Sequence, residues 1–363
     1  MNKENNLNNS QNRLTKSQRI KRRKQIRRKR TLKVLLISML FLLIFAVGFG
    51  AMYMKGLLEN VDRHELSDTN EDLGIDDNYV SKEYITNILL LGVDSREEND
   101  RGRSDAMMIL TVDTEHNKIK LSSLMRDSYV SIDKHGKDKL NHAFAFGGPQ
   151  LAIKTINQNF GLNIKDFVLV DYNGLEAIID AVGGINIDIK DNELKLVNDY
   201  IHDLADLKNI KPKYLQKSGM QTLTGIQAVA YTRIRYVGDG DYERTERQRR
   251  VLSAIFTEIK DAGITTYPKM VNKLIPYVTT SLTNSEMLGL GTDVLKSGMS
   301  NIEQMRFPVD GYFQDKEIYS KTEGMNLWYL VFNQEVTREQ MYDYIFEDIS
   351  PVAGDRNNPD LGD

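Results

Sequence analysis

Arginine dominates the chemistry this chain can do. In Tyr231–Arg250, YTRIRYVGDGDYERTERQRR, Arg233 and Arg235 stand two apart, so an extended segment would send both side chains from one face. Arg244, Arg247 and Gln248 follow at i, i+3 and i+4, which makes them neighbours on one helix face. The VGDGD between them carries two glycines and can fold the helix start back against the preceding segment. Four guanidiniums then converge on one place. Like charges so gathered repel unless an anion fills the space between them, and the planar fork of Arg suits phosphate oxygens. A solvated basic helix face would use the same residues. The run leads into VLSAIFTEI, however, so a helix that buries Val251 and Ile255 turns Arg244 and Gln248 inward too. An anion site is the expectation.

Further polar groups fall at the ends of apolar runs. In GVDSREENDRGRSDAM, Asp94 closes one such run and Asp105 opens the next. If the two strands are neighbours, the loop brings both carboxylates to one rim. Two carboxylates plus water suit Mg²⁺, a hard cation that keeps most of its hydration and binds where phosphates are handled. Loop aspartates also cap turns, which is the plainer use of both residues. Arg103 lies in the same loop, and Arg126 ends the third strand, where it reaches either the rim or a salt bridge to Asp105 or Asp127. KLNHAFAFGG puts Lys139 just before a Gly147-Gly148 turn, which either admits a ligand to the backbone or simply enters a helix.

Composition removes other chemistries. With no cysteine there is no disulfide, thiolate zinc site or cysteine nucleophile. The five histidines show no metal-ligand spacing, and HExxH, GxSxG and GxxxxGK[ST] are all missing. The net charge of −3 hides an asymmetry: residues 1–33 hold 13 Lys and Arg against one Glu, leaving −15 on the remainder. Val34–Met54 is uncharged and long enough for an α-helix to cross a bilayer. The basic flank before it places residues 1–33 in the cytoplasm and all that follows outside. A single-pass membrane protein results, with its N-terminus cytoplasmic. Residues 55–82 read as an acidic spacer outside the membrane, and residues 351–363, with one leucine and little else to pack, as a disordered tail.

Between these lies a catalytic domain, residues 83–350. Its elements are strands at Tyr84–Val93, Ala106–Val112, Lys118–Met125, Ser128–Ile132, Phe167–Tyr172, Ile185–Ile189 and Met305–Val309. Helices are expected at Pro149–Phe160, Gly174–Val182, Glu193–Leu207, Gly225–Tyr231, Asp241 to about Asp261, Pro268–Val278 and Ser285–Lys296. Interleaved strands and helices predict a single α/β domain, a mixed β-sheet flanked by helices on both faces.

Asp94, RGRSDAMM, SLMRD, KLNHAFAFGG, VDYNG, DAVGGI, LTGIQAVAYTRIRY and the RTERQRR helix occur in this order, and with them the chain resembles the LytR-CpsA-Psr family over about residues 84–262. The resemblance implies a membrane-anchored phosphotransferase. Such an enzyme moves a glycopolymer, teichoic acid or capsule-like, from an undecaprenyl-pyrophosphate carrier onto peptidoglycan as a phosphodiester. It also implies Mg²⁺ (or Mn²⁺) at Asp94 and Asp105, and pyrophosphate held by Arg103, Arg126, Lys139, Arg233, Arg235, Arg244, Arg247 and Gln248. Arg126 would be the arginine most tied to catalysis, and Asp94 a candidate base. A polyprenyl-pyrophosphate hydrolase would use the same residues with water as acceptor. A membrane-bound transcriptional regulator would rest on residues 1–33 alone, since the arginine cluster lies beyond the membrane segment. No nucleic-acid partner is expected.

The charge asymmetry makes a direct prediction. A reporter that works only in the cytoplasm, fused at residue 60, is expected to be inactive, and one that works only outside to be active; the reverse pair would invert the topology.

Overall fold

In the computed structural model, which describes residues 56–76, 82–93, 102–263, 266–297, 302–320 and 322–362 apart from residues 57, 236 and 239, the apolar run at Ile85–Val93 lies in the middle of a seven-stranded sheet. Numbered along the chain, the sheet takes β1 (Asp62–Arg63), β2 (Ile85–Val93), β3 (Ser104–Asp113), β4 (Lys118–Leu124), β7 (Asp166–Asp171), β10 (Thr279–Thr280) and β11 (Ile302–Phe307). Their spatial order is β1-β10-β7-β2-β3-β4-β11. β2 runs parallel to β7 and antiparallel to β3, and β4 runs parallel to β11, so the sheet is mixed. Among the described residues, three two-stranded antiparallel sheets lie outside it: β5 (Tyr129–Ile132) with β6 (Gly136–Lys139), β8 (Ile185–Ile189) with β9 (Gly219–Leu223), and β12 (Phe313–Ser320) with β13 (Met325–Phe332).

The helices are α1 (Asn70–Leu73), α2 (His142–Phe160), α3 (Tyr172–Ala181), α4 (Asp191–Leu207), α5 (Gly225–Thr232), α6 (Asp241–Asp261), α7 (Tyr267–Leu274), α8 (Asn284–Ser297) and α9 (Gln334–Phe346). α2 and α9 cover one face of the sheet. There Leu89, Leu91 and Ile109 pack with Ile153, Ile156 and Phe160 of α2 and with Met341 and Ile345 of α9. Each such side chain contributes about 1.5–3 kcal/mol by leaving water. On the opposite side Val197 and Ile201 of α4, Val229 and Tyr231 of α5, and Val251 and Ile255 of α6 close on the two-stranded β8–β9 sheet. This helical layer has a core of its own. Covering both faces explains why β2 reads as an unbroken apolar run.

Several expectations need correction. α2 begins at His142, because KLNHAFAFGG is itself helical up to a kink at Gly147 and Gly148. Gly148 has φ +65° there, a backbone open to glycine without strain, and Pro149 restarts the helix. The expected spacer is built into the domain over its described part: Leu73 and Ile75 join the main core, Leu58 and Val61 pack on Ile275, and β1 pairs with β10. Apolar residues spaced among the acids supply those contacts. The closing tail also has a place, since Gly354 N–H donates to Asp310 O and Asp360 N–H to Gly311 O. Side chains hold it as well: Arg356 pairs with Asp310, and Asn333 Nδ2 donates to Asp360. Residues 310–346, without assigned elements in the sequence, form the β12–β13 hairpin and α9. The basic segment 1–33 and Val34–Met54 lie outside the described residues, among which no helix is long and apolar enough to cross a membrane.

Lys120 on β4 is fully buried and ties α9 to the sheet. Its ammonium donates to Tyr344 O at 2.7 Å and lies 2.9 Å from Asp348 and 3.7 Å from Asp113. Burial works against the Asp348 charge, but Lys118 and Lys120 outweigh it and hold the carboxyl below its ordinary value. That stabilisation is present above the unfolded-state pKa and is lost as pH falls through the folded one. Lys120→Ala should cost about 2–5 kcal/mol, because it empties a fully buried site and removes the hydrogen bond to Tyr344 O, and urea unfolding of the full chain measures it.

Candidate active site

The site is built where β3 begins, β4 ends and α6 starts. Gly92 of β2 pairs with Ala106, but the next residue, Val93, pairs with Ser104. Asp105 is therefore the extra residue of a β-bulge. Bulges re-aim a side chain at the cost of one ladder position, and here the Asp105 carboxylate meets the Arg126 guanidinium. Arg126 follows β4 directly. Its Nε also lies 3.3 Å from Asp127 and 3.4 Å from Asp241, the first residue of α6. Asp127 in turn receives Lys139 at 2.6 Å, and Asp241 receives Arg244 at 2.8 Å. Three carboxylates and three cations from four separate segments form one network.

Its electrostatics are uneven. Burial disfavours the charge on Arg126, yet Asp127, Asp241 and Asp105 together raise its pKa above the ordinary value. Asp127 is likewise penalised by burial but held low by Arg126, Lys139 and Arg244. Arg244 differs. Burial first, then repulsion by Arg126 and Arg235, pulls its pKa down. Only 2% of Arg244 is exposed, and its Nε has no hydrogen-bond partner; one turn on, Gln248 Oε1 is also buried without one. Buried polar atoms are normally satisfied, so two orphans side by side mark a place for a ligand. An N–H and an excess positive charge call for an anion.

Beneath this polar cluster is an apolar cavity of about 150 Å³ between the sheet and the helical layer. Leu90, Met108, Val168 and Val170 line it from the sheet, Leu175 and Leu252 from the helices. Small residues open it. Gly92 and Ala106 face each other across β2 and β3, and a Cβ on Gly92 would lie 3.0 Å from that of Ala106. Gln248 and Tyr172 belong to the wall as well. The polar and apolar parts thus share a boundary.

The expected site residues separate into three groups. Asp105, Arg126, Lys139 and Arg244 meet directly; Arg235 is exposed but near enough to act on Arg244, and Gln248 points at the cavity. Arg233 is the C-cap of α5 in the helical region, not part of an extended segment, and its guanidinium stacks 5.3 Å from the Tyr172 ring and 5.9 Å from that of Tyr200. It therefore reaches the cavity wall through Tyr172, by a different route from the one expected. Arg103 is exposed and pairs with Glu323 of the β12–β13 turn. Arg247 does not belong to the site. It is buried against Glu193 at 2.8 Å and Glu243 at 2.6 Å, and donates to Ile234 O. Three positions along the helix turn it away from Arg244 toward α4, where it joins two helices of the same layer. Arg249 and Arg250 are equally structural, on Ser123 and Tyr231. Asp94 lies outside the described residues. Asp127 answers to the salt bridge expected for Arg126, and Asp241, expected as the start of the long helix and carried to the site by the family resemblance, lies against the same guanidinium.

For a metal, carboxylate oxygens are the right donors, and Asp105 is freed from the strand ladder toward the end of β2, next to Asp94 in sequence. The donor chemistry fits a hard divalent cation. Among the described residues no group of three or more such side chains has metal-holding geometry.

Fold and site together define a mixed-sheet α/β domain with an arginine-rich charged cluster above an apolar cavity. The chain belongs to the LytR-CpsA-Psr family: the model of the LytR_cpsA_psr family matches residues 51–337. It is 31% identical over 278 residues to the Bacillus cereus polyisoprenyl-teichoic acid–peptidoglycan teichoic acid transferase TagU, covering 74% of this chain and 85% of the relative. In fold it is similar to TagT bound to LI-WTA, with a TM-score of 0.61 and 24% identity over 78% of this chain and 98% of that one. It is also similar to YwtF (TagT) with bound octaprenyl pyrophosphate lipid, with a TM-score of 0.56 and 22% identity over 78% and 99%.

Arg247 and Arg244 should respond oppositely to truncation. Arg247→Ala leaves Glu193 buried and unpaired, an expected loss of about 3–5 kcal/mol. Arg244→Ala removes a repelled, half-satisfied charge and should leave the melting temperature unchanged or raised. Thermal unfolding of both variants checks the pair.

Proposed function

We propose that this chain is a membrane-anchored phosphotransferase that moves a glycopolymer from an undecaprenyl-pyrophosphate carrier onto peptidoglycan. The carrying observation is the orphaned Arg244 and Gln248 at the boundary between the cationic cluster and the apolar cavity. A pyrophosphate on a long hydrocarbon chain matches both halves. The names of the relatives, a teichoic acid transferase and a protein that holds a polyprenyl pyrophosphate, support the same reading. Val34–Met54 would anchor the chain, with the domain outside, where carrier and wall are both found.

A glycan hydroxyl attacks the phosphorus that carries the polymer. The new P–O bond forms as the bridging P–O bond breaks, and polyprenyl phosphate departs with the electron pair. Charge develops on that leaving phosphate. Arg244 and Arg126 are placed to meet it with preorganised N–H groups, with Arg235 and Arg233 at the edges. Asp105, Asp127 and Asp241 keep Arg126 in position before the substrate arrives, so little reorganisation is needed. Arg103 is held only by an exposed pair, worth under about 1 kcal/mol, and exchanges Glu323 for phosphate readily. Asp94 and Asp105 would hold Mg²⁺, which supplies charge neutralisation at the phosphates. The hydroxyl proton passes to a rim carboxylate, for which Asp94 is the candidate.

Two measurements test this. Lipid-linked donor incubated with glycan fragments should yield the phosphodiester, and release of the polymer phosphate to water alone would favour a hydrolase. Ala106→Phe should weaken binding of a long-chain polyprenyl pyrophosphate about tenfold or more, since overpacking a closed space costs about 1–3 kcal/mol. Inorganic pyrophosphate should bind as before. Unchanged long-chain binding would remove the cavity from the mechanism.

A further inference from the structure

The hairpin that leans on the site carries features the transfer step has not used. Register places Glu317 opposite Trp328 and Tyr319 opposite Asn326, so Tyr319 and Trp328 are diagonal neighbours on one face, within reach of each other. Both are turned to solvent, Trp328 at 65% and Tyr319 at 62% exposure. An adjacent pair of exposed aromatics makes a contiguous patch, the kind of apolar surface that marks an interaction site. Around them stand exposed groups that can hydrogen-bond, Asp315, Glu317 and Asn326, all on that face. Among the described residues no side-chain partner is recorded for Glu317 or Asn326. Flat aromatic rings flanked by carboxylate and amide oxygens suit a pyranose, whose C–H faces stack on a ring while its hydroxyls donate to the oxygens.

The hairpin is joined rigidly to the reaction site. Leu330 N–H donates to Asp127 O at 2.9 Å, two residues from Trp328 on the same face. Tyr242, next to Asp241, reaches Asp315 through its hydroxyl at 3.3 Å and packs on Phe313. The buried Asp138 accepts from Tyr329 at 2.9 Å and from Thr322 at 2.8 Å, which fixes the hairpin to the strand that carries Lys139. Arg103 closes the far end on Glu323. Phe313, Leu330 and Phe332 at one end of this face pack into the main core; from Asp315 to Tyr319 the exposed part extends about 13 Å at strand spacing, long enough for more than one sugar ring.

We propose that this face is the platform on which the acceptor glycan lies, its aromatic residues stacking the sugars so that one hydroxyl is delivered to the arginine cluster. This rests on the transferase reading above and names its acceptor subsite. Trp328 is the only tryptophan in the chain, so its fluorescence reports the platform directly. The full-length protein, reconstituted in lipid nanodiscs, is titrated with a peptide-free GlcNAc–MurNAc tetrasaccharide. A saturable change in Trp328 emission is expected, and Tyr319→Ala should weaken it about tenfold. In transfer assays Trp328→Ala and Tyr319→Ala should raise KM for the glycan about tenfold while leaving KM for the lipid donor unchanged, with Trp328→Phe largely restoring it. Absence of a fluorescence response in the wild type, or a glycan KM that neither alanine variant alters, would overturn the proposal. A saturable response without any transfer would instead sustain the platform and overturn the transferase reading.

Discussion

Arg126 is the charge on which the site depends. Its guanidinium is held by Asp105 from a bulge in β3, by its neighbour Asp127 and by Asp241 from the start of α6. Charges so sheltered would cost several kcal/mol apiece if left unpaired, which forces the three segments into register with one another. The same network satisfies Arg126 but not Arg244, whose pKa is lowered by burial and by the neighbouring arginines. The cluster therefore keeps an electrostatic imbalance, maintained by acids that hold part of it in place.

The cavity answers to a different constraint. Two covered faces would ordinarily collapse on one another, because interiors pack densely and voids forfeit contacts. Here the helices α4, α5 and α6 close on the small β8–β9 sheet instead of resting wholly on the main one. Gly92 and Ala106 then leave the strand surface too low to fill the gap. The empty space is a product of where the second core lies and of two small side chains.

Helix α6 shows how one basic segment serves both purposes. Arg244 faces the site, Arg247 locks α6 to α4 through Glu193, Arg249 reaches Ser123 on the sheet, and Arg250 meets Tyr231. Burial on more than one side leaves only Glu243, Glu246 and Arg250 partly solvated over this stretch. Removing charge from such a helix therefore has effects of opposite sign at adjacent positions.

Much of this was legible in the chain itself. Unbroken apolar runs and capping residues gave the main strands and helices, since hydrophobic periodicity and cap chemistry are local properties. Thr224 and Gln227 do form a capping box on α5. The arginine count and the carboxylates at strand ends pointed to an anion site because residue type alone carries charge and hydrogen-bonding capacity. Other features could not be read that way. The β12–β13 hairpin was missed because FQDKEIYS mixes charges into an edge strand with no clear alternation. The bulge at Asp105 depends on the register with β2, a relation between two segments. Sequence spacing grouped Arg247 with Arg244, and only the position of α4 assigned it to Glu193. Local pattern determines what each segment can become and which charges it carries. Which of those charges meet a ligand and which meet each other depends on contacts between residues far apart in the chain, and these exist only once the layers have packed.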